Sequence, residues 1–410
     1  MADTWQVDRS GILEFQKCPR SRFYSRHFNG DGIARTRKSL ALQFGSAFHA
    51  GAEGLLGGNI EKAVADALKY IDDAFAASTV DLEEKETAYA IDEQRAIAEG
   101  LLRGWWAFNG KRFLADFEVI EVEREGRAEL APGMVLMFRP DALVRERASG
   151  DFYIVSWKTA SMFGQYTINQ IATDMQSMSE VWGVQTANNK DSAPDEQLRI
   201  EGVLCLFAVK GQRRLDDYLG FKTQNTPLAY GWKRDGPTPE ETEWAHCYGW
   251  ATEEINPKTG KNVQTKLGKG FRDVLVAAEY PGGVKAWIDA LAKQEIEPRH
   301  VNALESVFPQ LMPVSRRADE IESWRRQVIG QELRIQDDIV RILAGACDAE
   351  DEAAMLDTYF PQHTARCFDY MSRCQFYECC FTPAVKADPL SSGLYQIRVA
   401  NHPEGKGGDE

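Results

Sequence analysis

Two groups of side chains in this sequence have the types and spacing that do chemistry. The first is a set of thiols: Cys367, Cys374, Cys379 and Cys380 crowd the segment ARCFDYMSRCQFYECCF, spaced C-x6-C-x4-C, or C-x6-C-x5-C if Cys380 is used. Thiolates so placed can converge on one soft metal or on an iron–sulfur cluster, and the interleaved aromatic rings would shield it from water. Adjacent cysteines seldom both bind one metal atom, so three ligands are expected here. Cys18, in FQKCPRSRFY, is the natural fourth. Such a group clasps the two ends of the chain, and a structural zinc is the other metal it would suit.

The second group lies in FRPDALVRERASGDFYIVSWKTA, which sets Asp141 at the start of one strand and Lys158 near the end of the next. A hairpin would bring both to one end of a sheet. A carboxylate that holds a divalent cation, with a lysine that polarises an attacking water or steadies developing negative charge, is what metal-assisted phosphodiester hydrolysis needs. Upstream, FGSAFHAGAEGLL carries His49 and Glu53 at i, i+4, on one helix face.

These residues need elements to position them. Residues 1–115 read mainly as helix, with a segment over Ile12–Phe28 punctuated by Pro19, another over Gly45–Leu56, and two amphipathic stretches over Ile60–Phe75 and Glu86–Phe108. FEVIEVE, MVLMF, ALVRE and FYIVSWK are short β-branched or aromatic runs between turn signals and predict strands. A helix is predicted over Ile168–Ala187, a long strand over LRIEGVLCLFAVKG, and a long amphipathic helix over Asp319–Leu343. Four regions follow: an N-terminal helical region 1–115, a core 116–221, an insertion or irregular subdomain 222–283 rich in Gly, Pro, Lys and Thr, and a C-terminal helical region 284–410 with the cysteine group. The fold class expected is mixed α/β.

Taken in order, these elements resemble the RecB/Cas4-like branch of the PD-(D/E)XK nuclease superfamily. The matching features are CPRSRFY, G-x-x-x-H at Gly45–His49, RPDALV at Arg139–Val144, a strand ending in WKTA at Trp157–Ala160, DMQSMSE at Asp174–Glu180, and the terminal cysteines. The resemblance runs from about residue 10 to residue 380, with 222–283 outside it. It implies a restriction-endonuclease-like mixed sheet flanked by helices, with helical N- and C-terminal additions. It further implies that His49 and Asp141 ligate Mg²⁺ or Mn²⁺, that Lys158 is the catalytic lysine, and that Gln176 positions DNA or water. Cys18, Cys367, Cys374 and Cys380 would hold a [4Fe–4S] cluster, Cys380 being preferred to Cys379 by the family's usual last spacing.

The chain departs from that pattern at three places. Ser156 stands where an acid usually precedes the lysine by two residues, Phe138 stands where a glycine is common, and Glu180 replaces a tyrosine four residues after Gln176. A serine hydroxyl removes a unit of negative charge from the cation's surroundings, and Glu180, Glu123 or Glu53 could restore it. The activity implied is a metal-dependent DNA exonuclease or end-processing nuclease with little sequence preference, in recombination, repair or mobile-element metabolism. The alternative is a weakened or inactive DNA-binding or scaffold subunit that keeps the fold and cluster.

Composition fits this reading only once charge is located. The 410 residues carry a net −14, unfavourable for a polyanion partner unless positive charge is concentrated. Residues 16–38 carry +6, residues 207–234 carry +4 and residues 255–275 carry +4. Arg20, Arg22 and Tyr24 in the first window, and Lys210, Arg213 and Arg214 in the second, are the expected contacts to single-stranded DNA or duplex ends. No GxxxxGK[ST] loop is present, so unwinding would need a partner helicase. No apolar run has the length of a membrane span and the first residues lack a signal-peptide layout, so a cytoplasmic protein of bacterial or phage type, without a membrane partner, is expected.

Overall fold

The computed structural model describes residues 4–77, 79–81, 90–161, 163–190, 192–193, 197–210, 253–255, 262–264, 285, 308–309, 313–346, 349–368 and 373–399. Its centre is a mixed four-stranded sheet. In chain order the strands are β5 (Phe117–Val122), β8 (Ala142–Glu146), β9 (Phe152–Ala160) and β10 (Ile200–Val209), and in space they lie β10-β9-β8-β5. β9 runs antiparallel to β8 and parallel to β10. A smaller sheet places β1 (Trp5–Asp8) parallel to β7 (Met134–Phe138), which pairs antiparallel with β6 (Gly126–Ala131). The expected mixed α/β core flanked by helices is present.

Side chains alternate across a strand, and β9 shows what this does. Val155 and Trp157 point into a core shared with helices α3 (Leu40–Leu56), α4 (Ile60–Ala76) and α5 (Ala90–Trp105). Ile154 joins the opposite core, built with β1, β6, β7, α8 (Met175–Asn189) and the long helix α9 (Ala318–Gly345). Ser156 and Lys158 follow the parity of Ile154, and both meet Gln176 of α8. A third core gathers α2 (Pro19–Arg26), the C-terminal half of α9, Leu356 of α10 (Ala349–Tyr359), and Phe360, Phe376, Cys379 and Tyr395.

Most expected elements are found, with differences that have local causes. Pro19 does separate two helices, α1 (Arg9–Lys17) and α2. The helix expected over Ile168–Ala187 is two, α7 (Gln165–Thr173) and α8, because the Asp174 side chain accepts from the Gln176 N–H at 2.9 Å and caps a new helix there. The strands β1 and β6, and the short strand Tyr395–Ile397 that pairs with Ile33–Arg35, were not expected from the pattern. Within the expected insertion, only 253–255 and 262–264 are described, as an antiparallel pair.

Candidate active site and metal centre

Helix α3 carries His49. Ser39 caps its start by accepting from the Leu42 N–H, and its packing on α4 is unusually close. A Cβ at Gly51 or Gly54 would come within 2.7 Å of the Ala63 backbone, so glycine is required for the helices to approach. This fixes the face of α3 that His49 presents to the sheet.

Asp141 lies just before β8, where the pairing of β8 with β9 starts at Ala142 and Val155. Beyond that pair the Trp157 N–H is bonded by a side chain: Asp141 Oδ2 accepts from it at 2.5 Å. Asp141 Oδ1 meets His49 Nδ1 at 3.1 Å. Glu123 follows the last β5–β8 pair, Val122 with Ala142, and its N–H donates to the Asp141 carbonyl at 3.1 Å. Its φ of 47° turns the chain there through the left-handed region. Burial pushes the Glu123 carboxyl above its ordinary pKa, Arg139 opposes this, and Asp141 reinforces it.

One ligand atom from each of His49, Glu123 and Asp141 lies within 4.8 Å of the others. An imidazole nitrogen and two carboxylate oxygens suit a hard divalent cation and neutralise its charge. Of the three acids that could replace the one absent at Ser156, the structure sets Glu123 beside His49 and Asp141. Glu53 lines the same cleft but is exposed and lies outside this trio.

Lys158 stands beside the trio on β9. Its Nζ donates to Gln176 Oε1, while Gln176 Nε2 donates to Glu180 Oε1 at 2.6 Å and to Ser156 Oγ at 3.2 Å. Glu180 is 7% exposed, and its other oxygen, Oε2, is buried without a hydrogen-bond partner among the described residues. Burial pushes its carboxyl up to about 7, with Asp141 adding to the rise and Lys158 opposing it. His49, Glu123, Asp141, Lys158, Gln176 and Glu180 line one cleft of about 1020 Å³. Arg9, Lys38, Arg139 and Lys210 also line it, so cations surround the carboxylates. Lys210 Nζ sits 4.9 Å from the centre of the Phe44 ring. The sequence reading did not single out Arg9 or Arg139 as cleft cations, although Arg139 adjoins the Pro-Asp pair.

The expected DNA contacts in the first basic window require correction. Arg20, Arg22 and Tyr24 are 2%, 3% and 4% exposed. Arg20 donates to the Phe360 carbonyl at 2.8 Å and to Asp357 at 2.6 Å; Arg22 pairs with fully buried Glu332 at 2.9 Å; the Tyr24 hydroxyl donates to the Cys379 carbonyl at 3.1 Å. Their donors hold the N-terminal helices to the C-terminal region. Arg213 and Arg214 lie outside the described residues.

Cys18 closes α1 and opens α2, and its Sγ accepts from the His363 N–H at 3.5 Å. The Cys374 N–H donates to the Cys367 carbonyl at 2.8 Å, looping that segment back on itself. Burial raises the pKa of the Cys367, Cys374 and Cys380 thiols, and the charge of Cys18 adds to the rise in each. Cys379 differs: it is fully buried in the third core, and its thiol interacts with Tyr395.

The sheet, the His–Glu–Asp trio and the adjacent lysine suit the chemistry of a metal-dependent nuclease. Residues 10–381 match the model of the PD-(D/E)XK nuclease superfamily, and the chain belongs to that superfamily. No curated protein matches the sequence. Among the described residues no helix is long and apolar enough to cross a membrane.

Proposed function

We propose that this protein is a DNA exonuclease or end-processing nuclease of the RecB/Cas4 type, acting on single strands or duplex ends with little sequence preference. The observation that carries this is the placement of Lys158 beside the His49–Glu123–Asp141 trio, in one cleft lined with arginine and lysine. In this reading the trio holds Mg²⁺ or Mn²⁺. The bound cation supplies Lewis-acid polarisation of the phosphate and lowers the pKa of an attacking water.

The remaining work falls to side chains. Lys158, a point charge held by Gln176, steadies negative charge as it develops on the phosphate oxygens. His49 and the Trp157 N–H fix the Asp141 carboxylate from its two oxygens, so its orientation is set before substrate arrives. Arg9, Lys38, Arg139 and Lys210 neutralise the backbone along the cleft, which gives affinity without base reading and a steep dependence on salt.

Cys18, Cys367, Cys374 and Cys380 are assigned in the same proposal to a [4Fe–4S] cluster that clasps the chain ends; their spacing and the family resemblance support this, while among the described residues the one group that meets as a metal-ligand set is His49, Glu123 and Asp141. A helicase partner would supply unwinding. Ser156 favours a second reading, a weakened or inactive DNA-binding subunit, because this residue is buried and bonded to Gln176 where an acid usually serves. Incubating the protein with Mg²⁺ or Mn²⁺ and linear or circular, single- or double-stranded DNA separates the two. Degradation of linear forms supports the nuclease, whereas binding with every form left intact supports the subunit.

A further inference from the structure

The amide of Gln176 is fully used: its oxygen accepts from Lys158, and its nitrogen donates to both Glu180 and Ser156. An ammonium group can only donate and an ionised carboxylate can only accept. With Lys158 on one side and an ionised Glu180 on the other, the amide has one orientation that satisfies both. Turning it round would set N–H against the ammonium and oxygen against the carboxylate. A protonated Glu180 removes this constraint, because a carboxylic acid can donate as well as accept.

We propose that Glu180 is a positioning residue: its ionised carboxylate, acting through Gln176, holds Lys158 at the cleft. This rests on the nuclease reading above and deepens it. The groups facing Glu180 are Lys158 on β9, Cys205 beside Ser156 on β10, Asp141 before β8 and Arg9 at the start of α1. Only Lys158 and Arg9 among them favour its charged form, and its oxygen Oε2 is buried without a hydrogen-bond partner among the described residues. Ionisation near neutral pH is the physical result. Glu180 is outside the His49–Glu123–Asp141 trio, so its part is to orient the lysine, and the cation is left to the trio.

Two variants test this, Glu180→Gln and Ser156→Asp, each with its double. Glu180→Gln keeps size and an acceptor oxygen but removes the charge. It is expected to lower kcat about 10- to 100-fold at pH 8 with KM unchanged, as loss of an orienting partner does, and to abolish the rise of activity through pH 7. Mn²⁺ affinity, measured by calorimetry, stays at the wild-type value. Ser156→Asp sets a second carboxylate on the same amide and moves the rise to higher pH; adding Glu180→Gln removes that displacement. A Glu180→Gln profile identical to wild type would overturn the proposal, as would a tenfold loss of Mn²⁺ affinity, which would make Glu180 a ligand. A wild type that cleaves no DNA overturns the nuclease reading and this one together; cleavage with an unchanged Glu180→Gln profile overturns this one alone.

Discussion

His49 and Asp141, 92 residues apart in sequence, meet at 3.1 Å between Nδ1 and Oδ1. The contact joins a helix to the end of a strand, so it exists only when α3 has docked on the sheet. Because the Trp157 N–H bonds the other oxygen of Asp141, the carboxylate is set by α3 and by β9, the strand that also carries Lys158. The His49–Asp141 contact is therefore made only once the core is assembled.

Asp141→Asn and His49→Ala are therefore expected to weaken Mn²⁺ binding on the order of 100-fold each. Calorimetric titration with Mn²⁺ checks this without reference to DNA. Glu123→Gln is expected to have a similar effect, and an unchanged affinity in that variant would remove Glu123 from the site.

Glu180 also affects stability. Its carboxyl is raised from 4.5 to about 7 in the folded protein, chiefly by burial. The fold thus favours the protonated form. The stability gained from that preference is fully present below about pH 4.5 and is lost as the pH rises through 7. Thermal unfolding of wild type between pH 5 and pH 8 should show Tm falling, and Glu180→Gln should flatten the fall. Equal slopes in the two proteins would contradict the assignment.

The Arg22–Glu332 pair ties α2 to α9 with both side chains buried, and the Trp5 Nε1–H donates to the same Glu332 oxygen at 3.0 Å. Removing one partner leaves an uncompensated charge in the interior. Arg22→Ala should cost about 3–5 kcal/mol in denaturant unfolding, and a loss below 1 kcal/mol, the range of an exposed pair, would show that the pair is wet.

The cysteines distinguish themselves by substitution. Cys380→Ser should abolish the brown colour and the absorbance near about 400 nm of anaerobically prepared protein, while Cys379→Ser should retain both. Colourless wild-type protein that contains zinc would replace the cluster by a structural zinc site.

The segments that carry His49, Asp141, Lys158 and Gln176 announce their elements by residue type, and the structure sets all four in one cleft. Glu123 was one of three possible acids, and the choice depends on the β5–β8 register, which shifts between Val119 and Glu121, and on a left-handed turn at Glu123. Local sequence does not encode that shift. Arg20 and Arg22 were misread as a DNA-binding surface because their partners, Asp357 and Glu332, lie 337 and 310 residues away. A charge window cannot tell an arginine that faces solvent from one that faces a distant carboxylate. By contrast, the break between α7 and α8 had a local signal in Asp174, a residue type that caps helices.

The most direct test compares wild type with Lys158→Ala on linear single-stranded and duplex DNA, with Mg²⁺ or Mn²⁺, using anaerobically prepared protein. The account predicts metal-dependent degradation by wild type and a loss on the order of 100- to 1,000-fold in kcat for the variant, with Mn²⁺ affinity retained. Equal activity in the two proteins, or intact DNA with wild type under every condition, would contradict it.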